Sequence, residues 1–127
     1  MPLTRIELPS GRTQEFKVNL INLVSDVLVE ILGLPNDDRN IRLMEYAKDN
    51  FIMKGPYEIL IEITLFKGRT KEIKKTLYKK IVEELQSKLK ITKDSIFIVL
   101  NEQPLENWGI RGGISAEDVN FNFKIDK

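Results

Sequence analysis

SGRTQEFK at residues 10–17 returns as KGRTKEIK at residues 67–74, a shift of 57 positions (69 − 12 = 57). The shift holds well beyond the motif. Ile6 falls on Ile63, Leu8 on Leu65, Leu20 on Leu77, Leu28 on Leu85 and Leu32 on Leu89. Further along, Asp37 falls on Asp94, Ile41 on Ile98, Leu43 on Leu100, Glu45 on Glu102 and Asn50 on Asn107. One ungapped register kept over this length indicates an internal duplication.

Each copy reads as strand, helix, strand. In the first, TRIEL alternates polar and apolar as a half-buried strand does. Gly11 allows a sharp turn, Thr13 is positioned as an N-cap, and Glu15 lies in the first helical turn. Apolar residues at Phe16, Leu20, Val24, Val27, Leu28, Ile31 and Leu32 then form one helical stripe, stopped by Gly33 and Pro35. RNIRLMEY follows as a second strand. The second copy repeats the pattern with YEILIEITLF, cap Thr70, the stripe Ile73, Leu77, Ile81, Leu85 and Leu89, and SIFIVLNE. A helix long enough to cross back over the sheet makes the two strands of a copy parallel, with a right-handed crossover. The expected class is α+β: duplicated β-α-β units forming a four-stranded mixed sheet with two helices on one face. Copy one spans about 2–50 and copy two about 59–107, with a C-terminal arm over 108–127, all within a single domain.

Two helices on one face leave the other face bare. YEILIEITLF is partly apolar on both sides, and such a face meets a partner. In the arm, VNFNFKI alternates Val119, Phe121, Phe123 and Ile125 with polar residues and reads as a short strand in need of an edge. A homo-oligomer is expected.

With 127 residues the chain is one domain able to bury about two-thirds of its unfolded surface. Twenty basic and 19 acidic residues give a net charge of +1, which points to neither a nucleic acid nor an anionic membrane as partner. No apolar run approaches a membrane span, and no leading segment reads as a signal peptide, so a cytoplasmic location is expected. The chain has no Cys and no His. Disulfides, thiol nucleophiles, the usual zinc sites and imidazole bases are therefore excluded. Proton transfer would fall to carboxylates, Tyr, Lys or the chain terminus. This draws weight to the opening MPLTRIEL: if Met1 is removed, Pro2 becomes a terminus with a free secondary amine that can act as base or nucleophile.

A Pro2 start, duplicated β-α-β units, GRT ahead of each helix and EQPLENWGIRGG at 102–113 together resemble the tautomerase superfamily, over essentially the whole chain. The likeness is to its long-chain branch of malonate semialdehyde decarboxylase-like and tautomerase proteins. It implies a homotrimer around packed sheets and cofactor-independent chemistry on small oxo or unsaturated acids, with no metal. It also implies roles. Pro2 would be the catalytic base or acid, and Asp38, in PNDDR, would orient water or take a proton. Arg69 would bind the substrate carboxylate bidentately. Lys67 stands where the decarboxylase branch has another arginine, keeping the charge without the fork. Trp108 would be an apolar wall excluding water or a core residue, and Arg111, among glycines, could bring a cation to a bound anion. Arg12, the repeat partner of Arg69, is expected to be structural.

The resemblance implies a tautomerase interconverting enol and keto forms of a small 2-oxo carboxylate. WGIRGG departs from the WSFG-like stretch of the decarboxylase branch, which leaves decarboxylase, hydratase or dehalogenase activity on a three-carbon acid as the alternative. A non-catalytic oligomeric binding protein and an unrelated ferredoxin-like domain are the readings of other classes.

Overall fold

The computed structural model describes residues 1–121. Its main sheet has four strands: β1 (Pro2–Pro9), β2 (Ile41–Tyr46), β3 (Ile59–Phe66) and β4 (Ile96–Gln103), in the order β2-β1-β3-β4. Helix α1 (Gln14–Leu32) joins β1 to β2 and α2 (Lys71–Leu89) joins β3 to β4; both strand pairs are parallel. The two copies meet at the centre, where β1 and β3 run antiparallel. A two-stranded hairpin of β5 (Gly109–Ile110) and β6 (Ile114–Ser115) follows. The expected strand over 119–125 falls for the most part outside the described residues. Among the described residues no helix is long and apolar enough to cross a membrane.

The duplication survives as geometry. Both helices are 19 residues long and begin 57 positions apart (71 − 14 = 57). Thr13 accepts from the Phe16 N–H at 3.1 Å and Thr70 from the Ile73 N–H at 3.2 Å, satisfying one free donor at each helix start. Lys17 reaches Glu45 at 2.7 Å and Lys74 reaches Glu102 at 2.6 Å, tying the same helical turn to the same strand in each copy. Both helices end on a left-handed residue, Gly33 at φ 65° and Lys90 at φ 58°. Glycine adopts that region without penalty; lysine does not.

Alternation along β1 and β3 sends Thr4, Ile6, Leu8, Ile59, Ile61, Ile63 and Leu65 under the helices. There they pack with Leu20, Val24, Leu28, Leu77, Ile81 and Leu85 in one core. The opposite face is uncovered among the described residues and is mixed, in keeping with a strand partly apolar on both sides. Leu3, Met44 and Phe97 are exposed on it, yet a polar ladder crosses its middle. Arg5 donates to Glu62 at 2.7 Å across the β1–β3 register pair and lies 3.8 Å from Glu7, and the Tyr46 hydroxyl donates to Glu7. Glu7 is only 9% exposed.

That Glu7 hydrogen bond, aided by desolvation, raises the Tyr46 phenol above its ordinary value. The raised group contributes stability that is present below the ordinary tyrosine range, near about 10, and is lost as pH rises through the raised value. Ultraviolet titration is expected to show Tyr46 ionising above the ordinary tyrosine range, and Glu7→Gln to lower that value.

Candidate active site

The β1–β3 register pairs Pro2 with Leu65, so the residues after Leu65 leave the sheet where the chain begins. Pro2 is buried at the mouth of a cavity of about 10 Å3, the room of one water, lined with Thr4, Ser25, Asp38 and Asn40 among others. Asp38 sits in the turn between α1 and β2, 18% exposed. Its backbone N–H donates to the Pro35 carbonyl at 3.0 Å, and its carboxylate accepts from Asn40 Nδ2 at 3.1 Å. The Met1 amino group donates to the other carboxylate oxygen. Pro2 and Asp38, both implied by the resemblance, thus line one cavity.

The second wall is aromatic. Phe66, the last residue of β3, faces away from the helices and meets Trp108 edge-on at a ring distance of 4.8 Å. Trp108 is 8% exposed, its indole N–H directed to the Gln103 carbonyl at 3.4 Å. The Ala116 N–H returns to the Trp108 carbonyl at 3.0 Å and so folds the hairpin against the ring. Phe66, Trp108 and Ala116 form a buried apolar cluster of their own, against which Met1, Leu105, Ile110 and Phe121 pack. Met1 therefore spans the site, amino group on Asp38 and side chain on the aromatic wall.

The three cations divide. Arg69 is 6% exposed and donates from Nη1 to the Leu32 carbonyl at 2.7 Å, placing its charge on the C-terminal end of α1, where the helix dipole favours it. Lys67 is exposed, its backbone N–H bonded to the Gln103 carbonyl at 2.9 Å. Arg111 sits in the β5–β6 turn at φ 49°, its guanidinium 5.9 Å above the Phe121 ring, which in turn lies 5.1 Å from Phe66. Arg12, at the opposite end of the sheet, stacks 4.5 Å over Phe16 and lies 3.8 Å from Glu58, contacts that belong to the fold. The sequence reading passed over Phe66, Asn40 and the seat of Met1. Period-two alternation along β3 was the available signal for Phe66.

Comparison with known proteins agrees along most of the chain. Two family models, both described as tautomerase enzyme, match residues 2–57 and 52–111. The Bacillus subtilis (strain 168) protein named Probable tautomerase YusQ is 31% identical over 121 residues, covering 89% of this chain and 95% of the relative. Probable tautomerase YrdN, from the same organism, is 24% identical over 85% of this chain and 89% of its own length. Among solved structures, a fused 4-OT wild-type symmetric trimer (Q0) superposes with TM-score 0.81 at 27% identity, covering 91% of this chain and 96% of that one. The FG41 malonate semialdehyde decarboxylase inhibited by 3-bromopropiolate gives TM-score 0.74 at 28% identity, over 91% and 92%.

Phe66→Ala is expected to cost about 3–5 kcal/mol in chemical denaturation. It should also move the emission of Trp108, the sole tryptophan, to longer wavelength as water reaches the ring. An unmoved spectrum would mean that Phe66 does not shield the indole.

Proposed function

The chain belongs to the tautomerase family, and on that premise we propose that it is a cofactor-independent isomerase that interconverts enol and keto forms of a small 2-oxo carboxylate. The Pro2 nitrogen, freed by removal of Met1, carries the proton. One observation supports this above the others: the start of the chain is buried between the Asp38 carboxylate and the Phe66–Trp108 wall. A free α-amine titrates near about 8. Burial favours the neutral base and a neighbouring carboxylate favours the charged acid. A nitrogen held between the two can both accept a proton and return it.

The remaining roles follow from charge. A guanidinium stays ionised in a dry site, so the buried Arg69 supplies fixed positive charge for the carboxylate and the developing enolate, with Lys67 or Arg111 completing the set. Trp108 keeps water from the reacting carbon. Assembly is as a homotrimer through the uncovered sheet face, a reading supported by the trimeric fused 4-OT relative. Its ligand is a small carboxylate, neither nucleic acid nor membrane, and its place is the cytoplasm.

Intact mass of the native protein followed by an assay with the enol of phenylpyruvate is the test. The processed chain should accelerate ketonisation, and keeping Met1 or acetylating the Pro2 nitrogen should lower the rate about 10²–10⁴-fold. Unchanged turnover would overturn the proposal. The contact between Asp38 and the chain start also favours a second reading, decarboxylation or hydration of a three-carbon acid with Asp38 directing water. That reading expects Asp38→Asn to abolish turnover of malonate semialdehyde while Arg111→Ala leaves it intact; the opposite pattern speaks for the isomerase.

A further inference from the structure

The 57-position shift carries the surroundings of Pro2 to the far end of the sheet and changes their chemistry. Arg69 is replaced there by Arg12, Met1 by Glu58, Asp38 by Ser95 and Gly33 by Lys90. The cavity at that end measures about 240 Å3, against about 10 Å3 beside Pro2. Arg12, Glu58 and Lys90 line it, with Pro56 and Ile91 as its apolar side. The Arg12 guanidinium is seated on the Phe16 ring at 4.5 Å, and the Glu58 backbone is fixed by its N–H donating to the Ser95 carbonyl at 2.9 Å. Their charged ends stand 3.8 Å apart, beyond hydrogen-bond range, which leaves both with bonding capacity to spare. Lys90 closes α2 at φ 58°, a conformation that costs a lysine energy and that Gly33 takes freely at the matching end of α1. Its ammonium has one protein acceptor, the Ser87 carbonyl at 3.2 Å. A side chain carried at a backbone cost points to a use for that side chain.

We propose that this cavity binds an acidic α-amino acid. The ammonium and carboxylate of an α-amino acid lie roughly 3 Å apart. Such a head group aligns antiparallel to the Arg12–Glu58 pair, each charge facing its opposite, and makes the charge-assisted hydrogen bonds that the 3.8 Å gap leaves unmade. Two cations and one carboxylate give the lining a net charge of +1, so the matching ligand carries one negative charge in excess. Its second carboxylate goes to Lys90, and its short carbon stem lies on Pro56 and Ile91. The head group and the stem are thus read by different residues. The site is separate from Pro2 and does not rest on the isomerase reading.

Calorimetric titration of the full chain with L-glutamate and L-aspartate at low salt is the test. At least one of the two is expected to bind with a Kd below about 1 mM. L-Glutamine, which lacks the second carboxylate, and glutarate, which lacks the ammonium, should each bind about fivefold more weakly or worse than the tighter of the two. No binding of either amino acid up to about 10 mM overturns the proposal, and so does glutarate binding as tightly as they do. Lys90→Gly removes the backbone cost along with the cation. It should raise the denaturation midpoint of the free chain and weaken the amino acid about fivefold, a combination that a merely structural lysine would not give. Glu58→Gln, at an exposed position, should weaken the amino acid and leave glutarate no weaker. Affinity unmoved in both variants overturns the assignment to this cavity.

Discussion

The antiparallel seam between β1 and β3 is the constraint on which the rest depends. Each β-α-β copy is parallel within itself, and the sheet is continuous only because these two strands pair at its centre. Side chains alternate with period two, so a slip of one residue would exchange the two faces of a whole copy. Ile61 and Ile63 would leave the core, and Phe66 would turn under the helices and lose Trp108. Arg5 opposite Glu62 reinforces the observed register from the uncovered side. Because that register sets Pro2 against Leu65, the segment carrying Phe66, Lys67 and Arg69 emerges beside the start of the chain.

Local chemistry repeats faithfully between the copies, and tertiary position breaks the repetition. The threonine caps and the helix-to-strand ion pairs recur because they need only residues close in sequence or a single crossover. Arg12 and Arg69 share the same GRT context and diverge completely, one stacked at the surface and one buried on the carbonyl of Leu32. A guanidinium at a helix C-terminus stays charged in a buried setting, and the carbonyl end of α1 favours that charge.

This contrast measures how far the sequence could be read. The two helical stripes, their caps and the parallel pairing within each copy were legible because hydrophobic period and the 57-residue shift both point to them. The polar ladder was not: Glu62 is visible in YEILIEITLF, but its partner is fixed only by the β1–β3 register, which alternation within one strand does not supply. Asp38 was found by resemblance, and its meeting with the chain start needed the fold. Trp108 was named as a wall without its partner, since the path of 104–118 is built from short turns and a two-residue-per-strand hairpin that carry no readable period.

The second copy begins in mid-chain, and this has a consequence for the duplicated architecture. Glu58 occupies there the position that Met1 has in the first copy, and Ser95 the position of Asp38; the Glu58 amide donates to the Ser95 carbonyl at 2.9 Å. A peptide nitrogen at that junction is permanently acylated, and no aminopeptidase can uncover it. Fusing two halves into one polypeptide therefore halves the number of free chain beginnings per sheet. Any chemistry that required a free chain nitrogen would have to use the Met1 pole, since the equivalent place at the opposite pole, with Arg12 and Glu58 on its rim, holds an acylated nitrogen.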